Sequence, residues 1–370
     1  MEQDRLHKIA LSMTPGVNAT VVRAMEERSI TPSDFFSMSM SELFRALGCG
    51  SRFEDLARQE ALFRARRELD FIDRHSVQAL FLTDDNYPHL LREIPDAPVV
   101  LYKLGEGNLD ASPAFSLVGT RRCTSYGLNF TKSLVADLSA YYPDALVISG
   151  LAYGIDAAAH TSALENGVAT AAVVAHGLDM IYPAPHRDLA RRIIAAGGAI
   201  VSEYPSGVRP FQRNFLERNR IVAGLSELTI VAESEVKGGA MSTANQAFSY
   251  SREVVALPGR STDITSSGCN HLIARSKAHI FTSVGDLLSL MQWKIPAIGV
   301  APPAEKPLFP ELEGDMARVY NLMISDRRPM QIDELHSGSG LAMPALMTAL
   351  SDLEFEGVIV RLPGARYELA

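Results

Sequence analysis

Cysteine is scarce in this chain: Cys49, Cys123 and Cys269 are its three, far apart, and none forms a C-x-x-C pair. That scarcity argues against a disulfide framework and a zinc site, and makes a reducing compartment, the cytoplasm, the expected address. Long apolar runs are missing too. None approaches the ~18 residues of a membrane span, so no span is expected; Val168 to Ala175 is stopped by His176. The polar start M-E-Q-D-R-L-H-K does not read as a signal peptide. A positive balance is also lacking, since 35 Lys and Arg face 43 Asp and Glu for a net charge of −8. Any nucleic-acid surface must then be local, because counterion release depends on the contact surface and not on the total. Neither a Walker A loop, G-x-x-x-x-G-K-[ST], nor a G-x-G-x-x-G fingerprint occurs, so neither an ATPase nor a dinucleotide enzyme is implied. What remains is a 370-residue chain, 47% hydrophobic and 21% charged, long enough for two or three globular domains.

Leu6 to about Gly50 carries short helical patterns broken by T-P-G-V and T-P-S-D, where Thr31 and Ser33 both look like helix caps. A small helical domain over 1–70 is expected, SAM-like or helix-hairpin-helix-like, with its basic and acidic residues balanced. Arg52 to Arg74 reads as a charged helix leading onward. Short apolar runs then alternate with helical patterns: 79–82, 99–102, 114–118, 146–149, 171–175, 199–203, 228–233, 253–257 and 279–281. Strands apolar on both faces and separated by helices predict a doubly wound, mostly parallel α/β sheet of Rossmann-like type over 75–292. Five prolines between Lys294 and Pro310 predict an extended linker, 293–310. Three short helical patterns and two strand-like runs around P-G then predict a winged helix over 311–370.

In such a sheet, ligands bind beyond the carboxyl ends of the strands. Three loops stand out there. In V-G-T-R-R, Gly119 permits a tight turn, Thr120 offers a hydroxyl and Arg121 sits where phosphate could meet a helix dipole; an ordinary turn with an exposed arginine fits equally. In S-G-L-A-Y-G-I-D-A-A-A-H, Ser149, Gly150 and Gly154 shape the turn. Asp156 looks like an N-cap there, and His160, four residues on, shares its face. A capping Asp with a hydrogen-bonded His is the expected outcome over an acid–base pair. In K-G-G-A-M-S-T-A-N-Q, Lys237, Gly238 and Gly239 before a helix make a plausible anion cradle.

The stretch F-Q-R-N-F-L-E-R-N-R-I-V-A-G-L adds Phe211, Arg213, Asn214, Phe215, Arg218, Asn219 and Arg220 against the single acid Glu217. Guanidinium groups hold phosphate through paired hydrogen bonds, and aromatic faces stack on bases. On a helix Arg218 and Arg220 lie on nearly opposite sides, so one is expected to be structural and the other to face a ligand. Together these segments predict a polyanion pocket without a catalytic group and without a metal or cofactor.

The order of motifs V-G-T-R-R-C-T-S-Y-G, S-G-L-A-Y-G-I-D-A-A-A-H, G-L-D-M-I-Y-P, S-E-Y-P-S-G, R-N-R-I-V-A-G-L-S, K-G-G-A-M-S-T-A and L-P-G strongly resembles the DprA/Smf family of DNA-processing proteins, from about Val77 to Leu290. The resemblance implies a cytoplasmic bacterial protein that binds single-stranded DNA and helps load the RecA recombinase in natural transformation. It further implies a homodimer formed through the Rossmann-like domain and no enzymatic turnover. Leu216 stands where the family usually has proline, Gln212 where relatives often carry lysine, His176 where a small residue precedes G-L-D, and Lys237-Gly238-Gly239 in place of an S-G-S-like turn.

The expected mechanism has amides at Gly119, Gly150 and Gly239, with Arg121, Arg213 and Lys237, neutralising successive phosphates. Phe211 is favoured over Phe215 as the base-stacking ring. The winged helix is expected to contact protein: from Glu311 onward ten acids face five arginines, and A-M-P-A-L-M-T-A-L-S-D-L-E has no basic residue. The rival readings are a LOG-like nucleotide hydrolase, whose loop would need a closing glutamate where Asn245 or Gln246 stands, and a nucleotide-sensing adaptor.

Overall fold

The computed structural model describes residues 2–48, 53–293, 312, 314–326, 328–362 and 366–369, and the chain divides into two compact units, Met1–Val300 and Ala301–Ala370. The linker expected over 293–310 falls outside the described residues save for Trp293, and so does the P-G turn near the C-terminus.

The first unit opens with helices α1 (Glu2–Met13), α2 (Ala19–Glu27), α3 (Pro32–Ser37), α4 (Met40–Leu47) and α5 (Asp55–His75). Thr31 caps α3: its hydroxyl accepts from Asp34 N while the Asp34 carboxylate takes the Thr31 N–H, a reciprocal box. Ser33 lies within the first turn and is not the cap. The helices do not form a core of their own. Leu11, Val22, Met25, Phe35 and Leu43 share one buried cluster with Leu80, Leu101 and Leu146 of the sheet, and Ile9, Ala61 and Ile72 share another with Val100 and Tyr102. Packing is therefore continuous across the expected boundary near residue 70.

The sheet holds β1 (Gln78–Phe81), β2 (Val100–Leu104), β3 (Ala114–Gly119), β4 (Leu146–Ser149), β5 (Ala169–Val173), β6 (Ala199–Ser202), β7 (Leu228–Glu233), β8 (Glu253–Ala256) and β9 (His279–Ile280). Their order is β1-β2-β6-β5-β4-β3-β7-β8-β9; β1 with β2 and β2 with β6 pair antiparallel, and the remaining pairs are parallel. Helices α6 (His89–Glu93), α7 (Ser125–Tyr141), α8 (Ile155–Glu165), α9 (Arg187–Ala195), α10 (Gln212–Gly224), α11 (Gly239–Ser249), α12 (Ser267–Ala274) and α13 (Val284–Met291) lie between or beside the strands. The central strands are buried throughout, which the apolar runs require: one core backs α10 and α11, the other backs α7 and α8.

The strand order places the site. From β3 the chain winds outward through β4, β5 and β6, then α10 carries it back to β7 on the other side of β3. The winding direction reverses at β3, and such a switch opens a crevice beyond the carboxyl ends of the strands.

The second unit has α14 (Gly314–Asp326), β10 (Met330–Gln331), α15 (Ile332–Ser339), α16 (Met343–Phe355), β11 (Ile359–Leu362) and β12 (Arg366–Leu369), with sheet order β10-β12-β11. Val319, Met323, Leu335, Leu346, Leu350 and Tyr367 give it a core of its own. Three helices and a small antiparallel sheet make a winged helix. Among the described residues no helix is long and apolar enough to cross a membrane.

Candidate nucleic-acid interface

A cleft of about 780 Å³ opens at the switch point. Its walls come from the loop after β3 (Gly119, Thr120, Arg121, Arg122), the loop after β4 (Gly150, Ala152), the start of α10 (Gln212, Phe215, Leu216, Arg218, Asn219) and the start of α11 (Lys237, Gly238, Gly239). Of the residues expected at the site, Gly119, Thr120, Arg121, Gly150, Phe215, Arg218, Asn219, Lys237, Gly238 and Gly239 meet in this one place.

Buried chemistry beneath the cleft holds its shape. Arg218, 4% exposed, donates through Nη1 to Gly150 O at 2.7 Å and to Val173 O, tying the end of β5 to the turn after β4. Asp156 lies beside it, its Oδ2 accepting from Ala152 N at 3.3 Å. Burial pushes the Asp156 carboxyl up and pulls the Arg218 guanidinium down, and each charge partly offsets the other's desolvation. Gly150 has to be glycine here, since a Cβ would collide with the Arg218 guanidinium and the Asp156 carboxylate. The residue that begins α8 is Gly154 at φ +76°, where the expected N-cap was Asp156; the Asp156 side chain reaches back from inside the first turn. His160 is no partner of Asp156. Its Nδ1 bonds Thr170 Oγ1 at 2.7 Å, and burial, then His186 and Arg218, push its pKa down to about 3.

Above this base the cleft is cationic and partly aromatic. Arg121, Arg122 and Lys237 are exposed on its rim. The Arg121 guanidinium lies 5.4 Å from the Phe215 ring centroid, and the Tyr182 and Phe215 ring centroids lie 5.9 Å apart at 52°. Helix α11 begins at the rim, with Gly238, Gly239 and Ala240 among the lining residues, so the positive end of its dipole lies at the cleft; the Met241 N–H is taken by Gly238 O at 3.2 Å. Asn219 Nδ2 to Gly239 O at 3.4 Å fastens that helix start to α10.

Several expected residues sit elsewhere. Arg220 is turned away: its Nη2 meets Glu203 Oε2 at 2.5 Å and its Nε lies 3.7 Å from Asp96, next to the N-terminal helices, so the expectation of a free rim cation is corrected. Of the two arginines on opposite sides of α10, both are held by internal partners, and Arg218 is the one beneath the cleft. Arg213 points outward and is paired with Glu217 at 2.5 Å. Asn214 spends its amide on Ala175 O and Arg209 O, both at 3.3 Å. Phe211, 66% exposed, lies outside the lining, and Phe215 occupies the position expected for Phe211. Ser149 is fully buried and donates to Leu117 O, so it is not open to a ligand. Tyr182, 44% exposed on the cleft wall, was not anticipated; its signal was an aromatic beside Pro183 in the loop that follows a buried strand.

Two acids border the cleft, Asp156 beneath it and Glu235 at the rim. Burial raises the nearby Cys123 thiol. Among the described residues no group of His, Cys, Asp and Glu is arranged to hold a metal ion.

Comparison with known proteins gives a consistent picture. Residues 78–292 match the family described as DNA recombination-mediator protein A, and residues 301–365 match the DprA winged helix domain. A putative DNA processing protein DprA of Mycobacterium tuberculosis is 36% identical over 315 residues, 82% of this chain and 79% of that protein. The solved DNA processing protein A of Streptococcus pneumoniae superposes with a TM-score of 0.63 at 31% identity, covering 76% of this chain and 95% of that one. The DNA processing protein A of Helicobacter pylori, solved for insight into its single-stranded DNA binding mode, gives 0.52 at 31% identity, with 58% and 95% covered.

Proposed function

The chain belongs to the DNA recombination-mediator protein A (DprA/Smf) family, and from that premise we propose that it binds single-stranded DNA in the cleft at the sheet switch point. The binding is independent of sequence, and the bound strand is handed to the RecA recombinase in the bacterial cytoplasm without any bond being broken. The observation that carries this reading is the pairing of exposed Arg121, Arg122 and Lys237 with the Phe215 and Tyr182 rings in one open cleft. Cations meet phosphates and ring faces meet bases; neither contact distinguishes one base from another. An unpaired strand suits the cleft because its bases are free to turn toward the rings.

The non-enzymatic part of the reading draws support from how the polar groups are used. Ser149 and His160 are committed to internal hydrogen bonds, and Asn245, near where a LOG-like hydrolase needs its glutamate, donates to Met241 O and accepts from Lys277 at 2.7 Å each. The proposed homodimer draws support from the edge of the sheet, where β9 is short and Ile280 and Phe248 are exposed. Sedimentation of an Ile280→Lys variant tests it, and an unchanged mass would remove that edge from the interface.

Competition between single-stranded and duplex oligonucleotides of the same sequence, at fixed salt, tests the main proposal. Preference for the single strand, with no base released from nucleoside monophosphates, is the expected result. Saturable mononucleotide binding with poor oligonucleotide affinity would favour a nucleotide-sensing adaptor instead.

A further inference from the structure

The turn between β4 and α8 carries more strain than a simple connection needs. Leu151 adopts φ +57°, in the left-handed region that leucine seldom enters, and Gly154 follows at φ +76°. Leu151 is fully buried, and its carbonyl accepts a hydrogen bond from His186 Nδ1 at 2.8 Å, which fixes the proton on that nitrogen. Ala152 N is held by Asp156, and the Ile155 N–H is held by Thr120 O at 3.3 Å. Strained backbone fixed at so many points is a feature of places where a side chain has to be presented in one position. The side chain at the apex is Tyr153.

Tyr153 is 44% exposed, whereas Ala152 and Gly154 on either side of it are half-buried. Ala152 lines the cleft, and Gly154 lies against the backbone of Thr120 and Arg121, so the apex stands beside the cleft rim. The His186 ring braces Tyr153 edge to face, with centroids 4.8 Å apart at 67°, an arrangement that stiffens the phenol ring without covering both its faces. Arg187, exposed at the start of α9, follows His186 directly.

We propose that Tyr153, braced by His186, is a second base-stacking platform that extends the single-strand path beyond the Arg121 rim. This rests on the cleft being the single-strand site. A strand leaving Phe215 past Arg121 would meet the Tyr153 ring next, with Arg187 available to the following phosphate. His186 is a positioning residue in this arrangement: it holds both the Leu151 carbonyl and the Tyr153 ring.

The test uses fluorescence anisotropy with labelled oligothymidylate at fixed salt and the full chain carrying Tyr153→Ala, Tyr153→Phe or Arg121→Ala. Tyr153→Ala should weaken binding about ten-fold, the scale of one base–aromatic stack, while Tyr153→Phe binds as the wild type. An abasic strand of the same length should bind the wild type and Tyr153→Ala equally. Wild-type affinity in Tyr153→Ala, alongside weakened binding in Arg121→Ala, overturns the platform and leaves the cleft standing. Equal loss in Tyr153→Phe and Tyr153→Ala overturns stacking as the contact. Unchanged binding in both Tyr153→Ala and Arg121→Ala removes the cleft itself. Matching melting temperatures for wild type and Tyr153→Ala exclude unfolding as the cause.

Discussion

The switch-point cleft and the winged helix are both architectures that often meet nucleic acid, yet this chain equips them in opposite ways. The cleft gathers Arg121, Arg122 and Lys237 around rings and a helix N-terminus. The winged-helix unit presents Met343, Met347 and Phe355 along α16 among Asp352, Glu354 and Glu356, and its Arg328 is already paired with Asp326 and Glu334. A helix entering a DNA groove needs cations toward the phosphates, and α16 has none. Fold alone therefore tells little about a DNA-binding role; the side chains placed on each fold decide it.

The contrast is broken most severely by removing the cleft's foundation. Arg218→Ala should destabilise the first unit by about 3 kcal/mol or more, since it leaves the Gly150 and Val173 carbonyls and the Asp156 carboxylate without their buried partner. Urea denaturation measures this, and single-strand binding should fall with it. Phe215→Ala should cost roughly 1–3 kcal/mol in oligonucleotide affinity while stability changes little, because the ring lines the cleft and lies outside the buried core.

Deleting residues 301–370 sharpens the comparison from the other side. Single-strand affinity should stay within about two-fold of the full chain if, as proposed, the cleft cations neutralise the phosphates. A large loss would assign the winged helix a direct DNA contact. Arg213→Ala should do less than any cleft substitution, since Arg213 is solvent-exposed outside the cleft and its i,i+4 pair with Glu217 is screened by water and salt.

A pH prediction separates the buried base of the cleft from its rim. His160 falls from 6.5 to about 3 in the folded chain, so between those values the unfolded state binds more protons. Its contribution to stability is full above pH 6.5 and is lost as pH falls, by up to about 1.4 kcal/mol per unit. Asp156, Glu203 and Glu68 have raised carboxyls and act in the opposite sense. The comparison is therefore between wild type and His160→Gln: the variant should lose less stability on acidification in thermal melts from pH 7 to about 4.

Much of the fold was legible because the apolar runs at the centre of the sheet are strands buried on both faces, and a run such as 228–233, buried at every residue, has no other way to satisfy its side chains. The convergence of the loops after β3, β4 and β7 was legible for the same reason, since strand ends bring them to one side. What the pattern did not reveal was which way each residue of α10 points. Arg218 and Arg220 look alike in sequence; their roles depend on partners far along the chain, Gly150 O, Val173 O and Asp156 for the first, Glu203 and Asp96 for the second. Phe211 and Phe215 differ by one helical turn, and the cleft lies under the second. The N-terminal helices looked separable because caps and turns punctuate them, but their apolar faces are completed only by the sheet.

The cleft's role is tested most directly by oligothymidylate affinity measured across a salt series for the wild type and for Arg121→Ala/Lys237→Ala. Log affinity should fall linearly with log salt, and the double variant should bind more weakly with a slope shallower by about 0.7 for each cation removed. Superimposable lines for the two proteins would contradict a phosphate-gripping cleft at the end of the sheet.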